Sequence, residues 1–323
     1  MKSWFLKNSI QGRHFQLRDV PSPEPKSDEI LIQVQAAALN RGEFLNKTVS
    51  ADETDYQACG IECAGVVIKV GENVKQLRLG DRVMGRSRAA FSEKAILLAG
   101  NALLLPSGLS WETAACASIT YQTAFDMLWP GGSLQKNEWL LIAGISSGVG
   151  LAALQLGKLI GARVIGTSRS LQKLQLLKKH DLDYGLILPG ESLAAQVLEI
   201  TNGKGVDLII NNIGASIFAE CVRMLAYKGR LATVGSVDGE KNAQFDSSLQ
   251  HTKRLKFFGV SSKMRGKNET FELVNKFKMD VLPAIANGKI KPIIDEIYKF
   301  DELPKAVDRM VSNLHFGKII IKI

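Results

Sequence analysis

Apolar positions along this chain follow two different periods, and the place where one gives way to the other is informative. In residues 140–170, LLIAGISSGVGLAALQLGKLIGARVIGTSRS, the first eighteen positions carry no charge. A membrane-crossing helix needs about 20 mainly apolar residues in one continuous helix, and here the pattern breaks too early. EWLLIAG, residues 138–144, is a short apolar run of the sort that forms a buried parallel strand. ISSG interrupts it with turn-forming residues. From there Val149, Ala152, Ala153, Leu156, Leu159 and Ile160 fall at helical spacing, and residues 162–168 supply the next strand. Strand, glycine turn, helix and strand make one βαβ unit.

The alternation continues. VDLIINNIG (206–214) reads as strand and turn, SIFAECVRMLAY (216–227) as helix, and GRLATVGSV as a strand ending at Gly235. Such alternation predicts a doubly wound parallel sheet with helices on both faces. Before Trp111 the character differs. Strand-like runs such as EILIQVQAAAL and CAGVVIKVG are divided by Pro, Gly, Asn and Asp, which predicts a compact β-rich domain. PSPEPKSDE reads as a surface loop leading into the first long strand. After about Asn287 a strand, a helix and an apolar final strand remain. That last strand needs a sheet to join, and the N-terminal β domain is the sheet on offer. The expected division is therefore residues 1–120 completed by 288–323, and an α/β domain over 121–287, with a cleft between them.

The glycine turn is where chemistry enters. Gly144 permits a tight turn after the strand, Gly148 lets backbone approach a ligand, and Gly150 lets the helix lie close to the sheet. A helix N-terminus presenting free N–H groups suits a pyrophosphate, which makes Gly144, Ser146, Ser147, Gly148, Val149 and Gly150 candidate contacts. Taken alone, the turn fits a nucleotide site or a purely structural corner. At the end of the next strand a site selecting NAD usually carries Asp or Glu about 20 residues beyond the glycines. This chain has GTSRSLQK there, with Ser168, Arg169 and Lys173 and no acid before Asp181. A hydroxyl and two cations would bind a 2′-phosphate that an acid would repel, so the expected cofactor is NADPH. Ligands of such sheets sit beyond the carboxyl ends of the strands. That adds Asn211, Asn212, Gly235, Ser236 and Val237, each of which could equally be plain loop chemistry.

Composition changes this picture little. The 323 residues carry 41 Lys+Arg against 32 Asp+Glu, a formal charge of +9, which favours anionic partners in general. The basic residues are scattered, and no signature with stacking aromatics for RNA is visible. Cys59, Cys63, Cys116 and Cys221 form neither a disulfide framework nor a paired CxxC pattern, and the first residues hold no apolar stretch long enough for a signal peptide. The expectation is a soluble cytoplasmic protein.

Over nearly its whole length the chain resembles the zinc-independent medium-chain dehydrogenases/reductases of the quinone oxidoreductase (zeta-crystallin-like) group. The resemblance rests on GIECAGVVIKVGENVKQLRLGDRVMG, LLLPSGLSWETAA, TAF at Thr123, GVGLAALQLGKLIGARVIGTSRS, VDLIINNIG, YKGRLATVGS and SNLHFGKIIIKI, in the family's order. It implies an α/β protein in which a GroES-like β-rich catalytic domain joins a Rossmann domain, with NADPH in the cleft and a homodimer paired through an edge strand. By position, Asn40 and Glu43 match the asparagine and acid placed near substrate and nicotinamide, and Thr123 matches a residue at the nicotinamide end. Phe258, Gly259 and Val260 match a segment that closes over the cofactor, and Asn313 and Lys318 lie in the C-terminal motif approaching the same cleft. Two departures stand out. Zinc-dependent relatives carry GHE where this chain has Gly60-Ile61-Glu62, and cysteine where it has Asn40. None of the four histidines lies within forty residues of Cys59 or Cys63, so no metal is expected. A proline usual before GIE is also missing, and Glu43 replaces the commoner aspartate.

Without a Lewis acid, alcohol oxidation gives way to hydride transfer onto an acceptor with its own electron demand. Quinones and α,β-unsaturated carbonyls qualify as small-molecule substrates. On this reading Asn40 donates to the developing oxyanion or orients the nicotinamide, and Thr123 holds the carboxamide. Tyr56 is either a proton donor or a surface aromatic. Two alternatives stay open: an alkenal or enoyl-thioester reductase, and a non-catalytic NADPH- or RNA-binding protein.

Overall fold

A computed structural model describes residues 1–9, 12–44, 55–188 and 192–323. The chain divides into two compact units, Met1–Ile119 with Lys267–Ile323, and Thr120–Gly266. The helical residues 267–286, which the sequence pattern groups with the α/β domain, cluster with the first unit.

The first unit begins with β1 (Lys2–Ser9), β2 (Gly12–Asp19), β3 (Glu29–Ala38), a single helical turn α1 (Arg41–Phe44), β4 (Gln57–Ala58), β5 (Glu62–Val70), β6 (Arg82–Arg86), β7 (Lys94–Leu98), β8 (Leu103–Leu104) and α2 (Trp111–Ala117). The second unit runs α3 (Thr120–Leu128), β9 (Trp139–Ala143), α4 (Gly148–Ile160), β10 (Arg163–Ser168), α5 (Leu171–Lys178), β11 (Tyr184–Ile187), α6 (Leu193–Ile200), β12 (Val206–Asn211), α7 (Phe218–Met224), β13 (Leu225–Thr233), α8 (Ser247–Lys253) and β14 (Lys256–Gly259). The chain then returns to the first unit with α9 (Lys267–Asp280), α10 (Leu282–Ala286), β15 (Ile294–Lys299), α11 (Leu303–Val311) and β16 (Lys318–Lys322).

In the first unit β1, β2 and β4 form a small antiparallel sheet, and a larger one runs β15-β16-β3-β5-β6-β8, with β7 also paired to β3. The apolar C-terminal strand does find the N-terminal sheet: β16 pairs antiparallel with β3, setting Ile320 opposite Ala38 and Ile321 opposite Ala37. Both faces of β3 are largely buried, with Gln33 and Gln35 at half-buried positions. Its core joins Ile30, Ile32 and Val34 to Phe44, Phe91, Val307 and Ile319.

The second unit is one parallel sheet in the order β11-β10-β9-β12-β13-β14, the strand order of a dinucleotide-binding fold. The order reverses between β9 and β12, so the glycine turn after β9 lies at the switch point. One element is shorter than its pattern predicts. The helix expected over 216–227 ends at Met224, and Leu225–Tyr227 already belong to β13. Leu225 is fully buried opposite Val206, and the ladder shifts register before Leu208 meets Arg230, with Lys228 at φ 61. The apolar spacing of the helix runs straight into a bulged strand, which hides the boundary. Among the described residues no helix is long and apolar enough to cross a membrane.

Candidate active site

In the second unit the turn after β9 is built as the sequence suggests. Gly144 sits at φ 70, and its N–H donates to Thr167 Oγ1 at 3.2 Å. Ser147 caps the 13-residue helix α4 by accepting from the Gly150 N–H at 3.0 Å. A Cβ at Gly150 would lie 2.5 Å from the Ile145 carbonyl oxygen, so no side chain fits there. Ser146, Ser147, Gly148 and Val149 are partly exposed around the helix N-terminus.

Beside this turn the two asparagines at the end of β12 behave differently. Asn211 folds back on its own loop: Oδ1 accepts from the Ile213 and Gly214 N–H groups at 2.9 and 3.0 Å, and Nδ2 donates to the Gly214 carbonyl at 2.8 Å. Asn212 is buried, and among the described residues neither its Oδ1 nor its Nδ2 has a hydrogen-bond partner. Its Cβ lies 3.8 Å from where a Gly144 Cβ would stand. A buried amide left unsatisfied costs about 1–3 kcal/mol, and this one abuts the glycine turn. Gly235, Ser236 and Val237 form the exposed loop after β13, where the Ser236 hydroxyl donates to Asp238 and to the Glu240 carbonyl. Phe258, Gly259 and Val260 end the neighbouring strand, with the Val260 N–H bonded to the Thr233 carbonyl at 2.9 Å. Thr123 is half-buried on α3, which Tyr121 ties to α4 through a 3.1 Å bond to Gln155.

At the end of β10, Ser168 is buried and its Oγ accepts from the Ser170 N–H at 3.2 Å. Arg169 is exposed and Lys173 half-buried in the first turn of α5. Asp183 accepts from the Val164 N–H at 2.6 Å and from Lys158 Nζ, at the opposite end of the strand.

The first unit holds a buried polar network. Lys318 Nζ donates to the Leu39 carbonyl and Asn40 Oδ1, each at 2.8 Å, and to Glu62 Oε1. Asn40 Nδ2 donates to Glu62 Oε1 at 2.9 Å and to Glu43 Oε1 at 3.1 Å, while its backbone N–H also reaches Glu43 Oε1 at 3.1 Å. Glu62 Oε2 accepts from Ser118 Oγ and the Ile119 N–H. Glu62 has no exposure and Lys318 5%. Glu43 Oε2 is buried with no hydrogen-bond partner among the described residues. Burial pushes the Glu43 carboxyl from an ordinary 4.5 up to about 8, against the opposing pull of Asn40 and Lys318. Both hydrogens of the Asn40 amide are thus spent on carboxylates inside the network.

Other candidates lie elsewhere. Asn313 ends α11 with a left-handed backbone, φ 61, and donates to the Val311 carbonyl at the exposed surface. Tyr56 lies under the Arg18 guanidinium, 4.7 Å from its ring centre. All four thiols are buried, and burial pushes each upward, Cys116 and Cys221 to about 12. Such thiols are poor nucleophiles. Among the described residues no three His, Cys, Asp or Glu side chains converge. At Asn40 and Glu62 the space between the oxygens is taken by an ammonium, which would repel a metal cation.

Two family models match the chain: an alcohol dehydrogenase GroES-like domain over residues 26–116 and a zinc-binding dehydrogenase domain over 148–278. The chain belongs to the medium-chain dehydrogenase/reductase family. It is 26% identical to acryloyl-coenzyme A reductase of Sulfurisphaera tokodaii, with all of both chains covered. It is 29% identical over 311 residues to the highly reducing polyketide synthase phiA of Fungal sp., covering 95% of this chain and 12% of that protein. A mycobacterial quinone oxidoreductase structure superimposes with a TM-score of 0.87 at 23% identity, covering all of both chains, and shares the fold. Dehydrogenases of this family bind a nicotinamide dinucleotide. The residues present fit that group: a capped helix N-terminus, a glycine no side chain can replace, and an orphaned amide beside them.

Sequence reasoning missed the part played by Glu62 and Ser118. The signal was available in GIECAGVV, because an acid heading an apolar strand must be paired inside. A pH dependence follows from Glu43. Its carboxyl is neutral in both folded and unfolded chains below about pH 4.5, and the unfolded chain ionises first as pH rises. Stability is therefore lost between about pH 5 and about pH 8 and no further above that. In Glu43→Gln this component should vanish, so the urea midpoint of the variant should match the native chain at low pH and exceed it at about pH 8. Parallel curves would contradict the assignment.

Proposed function

We propose that this chain is an NADPH-dependent reductase that delivers hydride to a conjugated carbonyl acceptor, a quinone or an α,β-unsaturated carbonyl, without a metal. The observation carrying this reading is the Lys318 ammonium lodged between Asn40 Oδ1 and Glu62 Oε1, where a metal-dependent reaction would need its cation. A protein with no Lewis acid at that point cannot strongly polarise an ordinary alcohol or ketone. The acceptor must bring its own electron demand.

Bound NADPH would supply the hydride. Gly144, Ser147, Gly148 and Gly150 would hold its pyrophosphate on backbone N–H groups, with Asn212 meeting the coenzyme through its unpaired amide. Ser168, Arg169 and Lys173 would select the 2′-phosphate, the sequence from Ser168 to His180 holding no acid to take a ribose hydroxyl. Gly235–Val237 and Phe258–Val260, on the ends of adjacent strands, would contact the rest of the coenzyme, and Thr123 its carboxamide. On the acceptor side Asn40 holds Glu43 in place, and Lys318 fixes Asn40. The same reading keeps the acceptor small, the location cytoplasmic and two copies paired along β14, the outer strand. A second reading, an enoyl-thioester reductase, is favoured by the full-length match to acryloyl-coenzyme A reductase; it shares the hydride chemistry and differs in the acceptor.

NADPH oxidation measured against quinones, enals and enoyl thioesters separates these readings. Turnover with quinones or enals supports the first, with thioesters alone the second, and with none of them neither. Chelator treatment should leave turnover intact. Arg169→Ala with Lys173→Ala should raise the dissociation constant for NADPH about 10- to 100-fold, two charge-assisted contacts being lost, and leave NADH binding unchanged. Unaltered NADPH affinity would contradict 2′-phosphate recognition.

A further inference from the structure

We propose that Glu43 is the acid that delivers the proton completing the reduction, from its Oε2; this rests on the reductase reading above. Adding one hydride to a conjugated acceptor leaves the product one proton short. Hydride brings two electrons to the electron-poor carbon, the π pair moves to the carbonyl oxygen, and an enolate results. In the second step the O–H bond of Glu43 breaks, its electrons stay on Oε2, and the proton bonds to the α-carbon. With a quinone the proton goes to the phenolate oxygen. The carboxylate then regains a proton from water, so each turnover consumes one NADPH and one proton.

The network itself singles out this group. The three hydrogens of Lys318 face Leu39 O, Asn40 Oδ1 and Glu62 Oε1. The Asn40 amide is spent on Glu62 and Glu43, and Ser118 donates to Glu62. Glu43 is divided: Oε1 accepts from Asn40 N and Nδ2, both at 3.1 Å, whereas Oε2 is buried with no hydrogen-bond partner among the described residues. A proton on Oε2 is the one hydrogen of this network that no neighbour already holds.

The surrounding charges keep it there. Glu62 on β5 is a second acid sharing the Asn40 amide, and Lys318 on β16 is already neutralised by Glu62. The Cys59 thiol lies close enough to feel the Glu43 charge. Arg13 on β2 donates to the Phe44 carbonyl at 3.3 Å rather than to the carboxyl. Among the described residues Lys318 is the cation that favours an ionised Glu43, and burial outweighs its pull. The Glu43 carboxyl, raised by burial to about 8, stays protonated at neutral pH and still gives up its proton readily, as a general acid must.

The test combines a measurement on the free protein with one on turnover. Infrared difference spectra of the full chain without coenzyme, from about pH 6 to about pH 9, should show a protonated carboxyl band lost with a midpoint near 8, and absent in Glu43→Gln. With an enal or quinone that the native chain reduces, kcat should fall above that midpoint. Glu43→Gln should lower kcat about 100-fold or more with NADPH affinity unchanged and the pH dependence gone, and Glu43→Asp should restore part of the rate. In D2O the native chain should place deuterium on one face of the α-carbon, and the glutamine variant on both. An ionised Glu43 at neutral pH, or a glutamine variant with native kcat and pH profile, overturns the proposal while the reductase reading stands. A native chain that reduces no acceptor removes both. Should the glutamine variant not fold, the native infrared titration and the aspartate variant still decide.

Discussion

A buried ammonium orders the first unit. Taking a lysine out of water costs several kcal/mol unless its hydrogens find oxygens, and Lys318 finds three, on Leu39, Asn40 and Glu62. These come from the end of β3 and the start of β5, and the lysine from the start of β16. The network therefore closes only when β16 lies against β3 with Ile320 opposite Ala38, and β3 against β5 with Ala37 opposite Cys63. A slip of one residue in β16 would turn Lys318 to the other face of the sheet and leave Glu62 buried and unpaired. Fold and site constrain one another: the sheet register assembles the network, and the network penalises every other register. Glu62 extends the constraint to the end of the first stretch of this unit, where Ser118 and Ile119 bond its second oxygen.

Against this fully bonded centre, the polar atoms left without partners are informative. Asn212 and Glu43 each keep buried atoms unsatisfied, whereas their neighbours Asn211 and Asn40 are bonded on every side. Buried polar atoms without partners are uncommon in folded proteins and call for an explanation; those of Asn212 lie beside the glycine turn and that of Glu43 beside the Lys318 network.

Much of this was legible in the sequence, and the reasons differ by region. Parallel strands buried on both faces write continuous apolar runs, so β9, β10 and β12 announce themselves, and Ser147 caps α4 where the glycine turn predicts a helix start. The boundary at Leu225 was not legible, because the apolar residues of α7 and β13 follow one another without a break. Lys318 was harder still. In GKIIIKI, Lys318 and Lys322 are four positions apart and share a face by strand parity, yet one is buried and the other exposed. Nothing local distinguishes them; only the distant Glu62 does. Resemblance placed Asn40 and Glu43 at the acceptor, but the spending of the Asn40 amide on two carboxylates, and with it the isolation of Glu43 Oε2, needs three-dimensional contacts that spacing does not encode.

In the second unit the end of β10 ties the glycine turn to the loop that carries Arg169. Thr167 accepts from the Gly144 N–H and, through its carbonyl, from the Ile145 N–H, so the end of β10 sets the position of the glycine turn after β9. The next residue, Ser168, bonds the Ser170 N–H, and Ser170 in turn caps α5 by accepting from the Lys173 N–H at 3.3 Å. A chain of bonds thus runs from the turn suited to a pyrophosphate to the cations suited to a 2′-phosphate, through consecutive residues of β10 and its loop. On the NADPH reading this makes the preference for the phosphorylated coenzyme a property of strand geometry as well as charge. On that reading Arg169 and Lys173 would supply the attraction, and Thr167, Ser168 and Ser170 would fix its distance from the glycine turn, a span the adenosine diphosphate must bridge.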